Sequence, residues 1–278
     1  MRPGRAFFGV LSYLALGVAV LSLLAGCGTA IGHARQTSAN NATASATVQT
    51  SAPYTITMPS NDIFTPYIAI IPAGAPINWI NADTVLHTVI GGPTSGGGVI
   101  NPQPFQLVLQ PGDVQTMTLR SPGLYYYYCG AHATPIADGR AASMANTRAY
   151  PLAMDGFIDI VGSGLSGLTT SAVTMTNAGD FSPWMTVVDR GASVTWTNAT
   201  HESTTIATTR AQSSLNPTPL AIQVQPGASV TQVMSVPGVY DYYSTQAATL
   251  NTIWNRPSAR PGAPGYPSPM EGVILVLG

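Results

Sequence analysis

From residue 53 onward the chain places apolar and polar residues alternately. Ile77-Asn78-Trp79 and Val194-Thr195-Trp196 show the pattern, as do Val108, Gln110 and their neighbours. A period of two is that of a strand with one face in a core. The runs are short and are closed by Pro-Gly and Asn turns, which predicts about seven strands in each stretch of about 110 residues. The expected fold is all-β, two tandem Greek-key β-sandwich domains. One segment breaks the pattern: Ala6 to Leu24 is apolar without any period.

The two halves repeat one another. Met58-Pro59 to Trp79-Ile80-Asn81 pairs with Met175-Thr176 to Trp196-Thr197-Asn198, at an offset of 175 − 58 = 117. Gln110-Pro111-Gly112 and Pro122-Gly123-Leu124-Tyr125 pair with Gln225-Pro226-Gly227 and Pro237-Gly238-Val239-Tyr240, at 225 − 110 = 115. Tyr150-Pro151 to Met154-Asp155-Gly156 pairs with Tyr266-Pro267 to Met270-Glu271-Gly272, at 266 − 150 = 116. Blocks in the same order with insertions only between them mark a duplication. The expected divisions are 1–26, 27–52, 53–162 and 163–278, with Gly162 to Ser171 as the hinge between the copies. The long loops after His132 and Ala247 exceed ordinary connections, so a lid or partner-facing role is expected there, with a helical turn inside.

Composition sharpens this picture. The 28 Gly, 23 Pro and 12 Tyr favour turns and strands over helices. Charged residues are 8% of the chain and lysine is missing, so no basic patch exists and nucleic acid is excluded as a partner. Arg2 and Arg5, the apolar run and Leu24-Ala25-Gly26-Cys27 read as an export signal over 1–26. The Leu-Ala-Gly-Cys ending resembles a bacterial lipoprotein cleavage box, which implies that Cys27 carries lipid. Residues 27–52 then form a tether with a reach of roughly 25–30 Å. The expected location is extracytoplasmic, on a membrane held through the N-terminal lipid. Removing the signal leaves 8 arginines against 11 acidic residues, 8 − 11 = −3.

The candidate chemistry lies in Tyr125-Tyr126-Tyr127-Tyr128-Cys129-Gly130-Ala131-His132, continued by Met154-Asp155-Gly156-Phe157-Ile158. Alternation puts Tyr125, Tyr127 and Cys129 on one face, and His132 lies just beyond the strand. With Cys27 lipidated, Cys129 has no cysteine to pair with, and a metal is the natural occupant of such a thiol. His87 offers a second imidazole. Two imidazoles, a thiolate and a weak axial thioether make a blue-copper electron-transfer site.

These residues resemble the plastocyanin-like cupredoxins. Trp79-Ile80-Asn81 running to His87-Thr88-Val89, Pro122-Gly123-Leu124-Tyr125 running to Cys129-Gly130-Ala131-His132, and the Met154-Asp155-Gly156-Phe157-Ile158 ending carry the likeness. The resemblance implies one type 1 copper per chain, bound by His87, Cys129, His132 and Met154. It also implies a tie between ligand loops at Thr88 and an apolar electron port at His132 beside Ala131, Ala133 and Pro135. The 21 residues between His132 and Met154 depart from the short-loop members and admit Met144 as an alternative axial donor.

In the second copy Thr204, Ser244 and Ala247 stand opposite His87, Cys129 and His132, and only Met270 is kept. That copy is expected to hold no copper. The chain has four histidines, His33, His87, His132 and His201, too few for the further copper ions of nitrite reductases and multicopper oxidases. The expectation is therefore a non-enzymatic, membrane-tethered electron-transfer protein whose redox partner is a cytochrome or another electron carrier. A copper-delivery module and a copper oxidoreductase subunit are the alternatives.

Overall fold

The computed structural model describes residues 53–91, 99–210 and 214–278, all within one compact unit spanning Gln49–Gly278. The expected signal, Cys27, the tether and His33 lie outside the described residues. No helix occurs among the described residues, and both copies are β-sandwiches.

The first copy runs β1 (Tyr54–Met58), β2 (Ile68–Pro72), β3 (Pro76–Asn81), β4 (His87–Gly91), β5 (Gln106–Leu109), β6 (Val114–Thr118), β7 (Gly123–Tyr128), β8 (Ala133–Pro135), β9 (Ala141–Ser143) and β10 (Asp155–Val161). One sheet has the order β1-β3-β6 and the facing sheet β2-β10-β7-β4-β5. β1 lies parallel to β3, and β10 lies parallel to β2 but antiparallel to β7, the crossed pairing of a Greek key.

The second copy repeats this order in β11 (Leu168–Met175), β12 (Phe181–Ser182), β13 (Met185–Asn198), β14 (Thr204–Thr208), β15 (Ala221–Val224), β16 (Ser229–Met234), β17 (Gly238–Ser244), β18 (Ala248–Asn251), β19 (Arg256–Ala259) and β20 (Glu271–Val276). β13 is long enough to pair with β11 and β16 at one end and with β20 at the other, so its sheets join. The strand count exceeds the expected seven because each long loop folds a hairpin, β8–β9 and β18–β19, in place of the expected helical turn. β11 already begins at Leu168, inside the predicted hinge.

Each core is built on the same residues. Alternation in β3 buries Ile77, Trp79 and Asn81, and in β13 Val194, Trp196 and Asn198. The Tyr125 hydroxyl donates to the Ser121 carbonyl at 2.7 Å and that of Tyr240 to Val236 at 2.9 Å, so each tyrosine pins the turn before its own strand. β7 departs from simple alternation, since Leu124 through Tyr127 are all buried. Tyr125, Tyr127 and Cys129 face the core of the first copy, while Leu124 and Tyr126 join the apolar cluster of the second. Tyr126 meets Trp184 edge-on, with ring centroids 4.9 Å apart. The outer face of β7 is buried because the other copy covers it.

Candidate metal centre

β4 opens on His87, and β7 ends just before Cys129. The buried Asn81 amide holds the loop ahead of His87 by donating to the carbonyls of Val85 at 2.8 Å and Leu109 at 3.0 Å. Cys129 is fully buried, and its amide donates to the Met154 carbonyl at 2.8 Å, which ties the start of β10 to the end of β7. His132 follows in the turn, its amide bonded to the Cys129 carbonyl at 3.1 Å. His87 thus converges with two groups 42 and 45 positions further on (129 − 87 and 132 − 87). Cys129 Sγ lies 3.7 Å from His87 Nδ1 and 3.4 Å from His132 Nδ1, and all three atoms fall within 4.8 Å of one another.

Met154 is fully buried in the same apolar core as Cys129. Met144 is only half-buried, and its contact with this region is through its amide, which donates to the His132 carbonyl at 3.1 Å. Gly156 is required in β10 beside Tyr127, because a Cβ there would overlap the Tyr127 hydroxyl, as one at Gly272 would overlap that of Tyr242.

The surroundings favour a thiolate. Burial pushes the Cys129 thiol up, but hydrogen bonds from His132, His87 and the Thr88 and Ala131 amides outweigh it and bring the thiol down to about 5. The Thr88 amide is 3.3 Å from Sγ, and the Thr88 hydroxyl accepts from the Gly130 amide at 2.8 Å, so this residue links the His87 and Cys129 segments. The imidazole of His132 is held above its ordinary range, first by its bond to Cys129.

Beyond the histidines lies a group that sequence reasoning missed. Asp83, whose side chain is fully buried, places Oδ2 3.2 Å from His87 Nε2, and Asp62 Oδ1 is 3.7 Å from His132 Nε2. Arg148, from the long loop, donates to both Asp83 oxygens at 2.9 and 2.7 Å and to the Ser60 carbonyl at 2.7 Å, while its amide donates to Asp62 Oδ2 at 2.7 Å. Burial pushes the Asp83 carboxyl up, but Arg148, Thr84 and His87 together hold it below its usual range. The signal lay in the repeat: opposite Asp62, Asp83 and Arg148 stand Gly179, Thr200 and Pro264. These three were lost together with the ligands, whereas Asn81, Tyr125 and Trp79 keep their counterparts.

The expected apolar port is altered by the same group. Ala131 and Pro135 are exposed, but Ala133 is buried, and the His132 side chain, 15% exposed, borders Asp62.

The donor set fits a soft cation. A carboxylate can only accept, so a His87 proton kept on Nε2 by Asp83 would free Nδ1 to act as a ligand beside the sulfur. Two imidazole nitrogens and a thiolate gathered in a buried space suit a positive charge between them.

No family model matches this chain, and no curated protein does. Similar solved structures include a purple cupredoxin from Nitrosopumilus maritimus, 20% identical over 39% of this chain and 99% of that one, with a TM-score of 0.27. A variant of amicyanin in its Cu(I) form is 16% identical over 39% of this chain and 82% of its own, with a TM-score of 0.28. A copper-containing nitrite reductase from Thermus scotoductus is 13% identical over 81% of this chain and 68% of that one, with a TM-score of 0.28. The sheet order and crossed pairing described above are those of a cupredoxin-like fold. The expectation that this chain is not an enzyme is withdrawn, because one structure matched over 81% of this chain is that of an enzyme.

Proposed function

We propose that the first copy, residues 53–162, binds a single type 1 copper ion through His87, Cys129, His132 and Met154, and that the protein exchanges single electrons with a partner carrier such as a cytochrome. The observation that carries this reading is the convergence of two imidazole Nδ1 atoms on a buried sulfur whose thiol is brought down to about 5. The complete burial of Met154 beside Cys129 supports it over Met144 as the thioether that would hold the ion. Copper bound there supplies a one-electron couple. Asp83 keeps the His87 proton on Nε2, the Thr88 amide stabilises the thiolate, and Arg148 holds the long loop against both carboxylates. His87, Cys129 and Met154 are fully buried in the packed core, so few groups need move when the charge changes by one.

The second copy, 163–278, lacks the three strong donors and is assigned no metal. The lipid on Cys27, after removal of residues 1–26, and the tether 27–52 place the redox unit outside the cytoplasm at a membrane surface.

Titration of the purified protein with Cu(II) tests the reading. One copper per chain and an intense thiolate charge-transfer band are expected, and Cys129→Ser should abolish the band completely. A protein that stays colourless, or one that takes two coppers per chain, overturns it.

A further inference from the structure

The two copies touch through equivalent residues exchanged across an approximate two-fold relation. Tyr150 and Tyr266, counterparts at an offset of 116, meet each other edge-on with centroids 5.9 Å apart. Arg140, immediately before β9, donates through Nη1 to the Pro269 carbonyl at 2.5 Å, just ahead of Met270. Arg256, its counterpart at 256 − 140 = 116, donates through Nη1 to the Ala153 carbonyl at 3.0 Å, just ahead of Met154. Ala153 and Pro269 are themselves counterparts, 269 − 153 = 116. Each copy's long loop therefore reaches over to hold the chain immediately before the other copy's methionine. Both arginines are buried, with exposures of 7% and 2%.

The two differ in their second partner: Arg140 pairs with Asp138 of its own loop, whereas Arg256 reaches an acid of the other copy. Its Nη2 donates to Asp155 Oδ1 at 2.6 Å, and its guanidinium lies 4.0 Å from the centroid of the Tyr67 ring. Asp155 also accepts from the Tyr126 hydroxyl at 2.9 Å, whose oxygen in turn accepts from the Ala141 amide at 2.7 Å. One planar fork thus grips the residues on both sides of Met154, a geometry that guanidinium provides and a point charge does not.

We propose that Arg256, from the copy without copper ligands, is a positioning residue for the metal site. The second copy serves to fix Met154 and the Met154 carbonyl that anchors Cys129. This rests on the copper reading only for its consequence, since the clamp itself is a property of the metal-free fold.

The test uses the whole chain and exploits the exchange of partners. In copper-free protein, Arg256→Met should speed hydrogen exchange at the Cys129 amide, which bonds the Met154 carbonyl, at least tenfold, and leave the Ser244 amide unchanged. Arg140→Met should do the reverse, because the Ser244 amide bonds the Met270 carbonyl at 3.0 Å. With copper bound, releasing the thioether weakens a donor that favours Cu(II) over Cu(I). Arg256→Met should then raise the reduction potential by about 59 mV, a tenfold change in relative affinity for the two oxidation states, and Arg140→Met should leave it in place. Equal loosening of both amides by either variant, or an unchanged potential in Arg256→Met, overturns the proposal. Should Arg256→Met not fold, Arg256→Lys carries the same test, since it keeps a charge for Asp155 without a fork that spans both acceptors. A colourless protein overturns the copper reading alone, and the exchange measurement still decides the clamp.

Discussion

The first copy gathers His87, Cys129 and His132 around one point; the second places Thr204, Ser244 and Ala247 there. The Thr204 and Ser244 hydroxyls bond each other at 2.7 Å, and the Ala247 amide lies 3.4 Å from the Ser244 hydroxyl. The rest of the space is a cavity of about 210 Å³ lined in part by Thr204, Ser244, Ala247 and Met270, with His201 and Glu202 also on its wall. The two cores nevertheless keep the same tryptophan, tyrosine corner and loop asparagine. The sandwich therefore does not need the site. What disappears with the ligands is the polar group behind them, Asp62, Asp83 and Arg148, so the sandwich does not need that group either. In its place a Cβ at Gly179 would run into the Pro264 carbonyl, so the second copy's loop closes directly onto the glycine.

The largest effect should come from erasing the difference. Thr204→His with Ser244→Cys and Ala247→His is expected to raise the copper stoichiometry from one to two per chain, measured by metal analysis and the charge-transfer band. Adding Thr200→Asp, which restores the carboxylate behind the first histidine, should tighten the new site about 10–100-fold. A triple variant that refuses copper even with Thr200→Asp would show that more than the donors and their partner separates the copies.

Next in size, Asp83→Asn carries the comparison the other way. Loss of the carboxylate on His87 Nε2 should weaken copper binding in the first copy about 10–100-fold. It should also raise the reduction potential, because a less basic imidazole favours Cu(II) less. Competition with a chelator and a redox titration check both. Unchanged affinity would reduce the polar group to a loop fastening.

The smallest effect concerns a position far from either site. Asp159 in β10 is buried where the second copy has the buried Leu275, and burial alone pushes its carboxyl up to about 6. The folded chain therefore holds this proton more tightly than the unfolded chain, whose carboxyl titrates near 4. The sign follows: stability contributed by Asp159 is complete below about pH 4 and falls as pH rises to about 6. Asp159→Asn should flatten that slope and stabilise the protein at pH 7 by about 1–2 kcal/mol, read from denaturant midpoints across pH. A slope that survives the substitution would place its origin in other carboxyls.

Much of the fold could be read directly from residue order. Alternation in β3 marks Trp79 and Asn81 as buried, and Pro-Gly blocks in register reveal the duplication, because strand period and turn chemistry act over a few neighbours. Cys129, His132 and Met154 could be placed together for a similar reason, lying at the ends of strands that a Greek key sets side by side. β7 misled the simple rule, since its second face is covered by a surface that begins dozens of residues later.

The sequence by itself determined an all-β chain of two like copies and a donor set present in only one of them, since period, turn residues and residue identity are local properties. Only the tertiary structure decided that Asp83 and Arg148, 65 positions apart, back the histidines, and that Arg256 grips the neighbours of Met154 from the other copy. Those contacts are set by how two twisted sheets pack and which loops their ends bring within hydrogen-bond distance, and no short-range pattern encodes a separation of 101 residues.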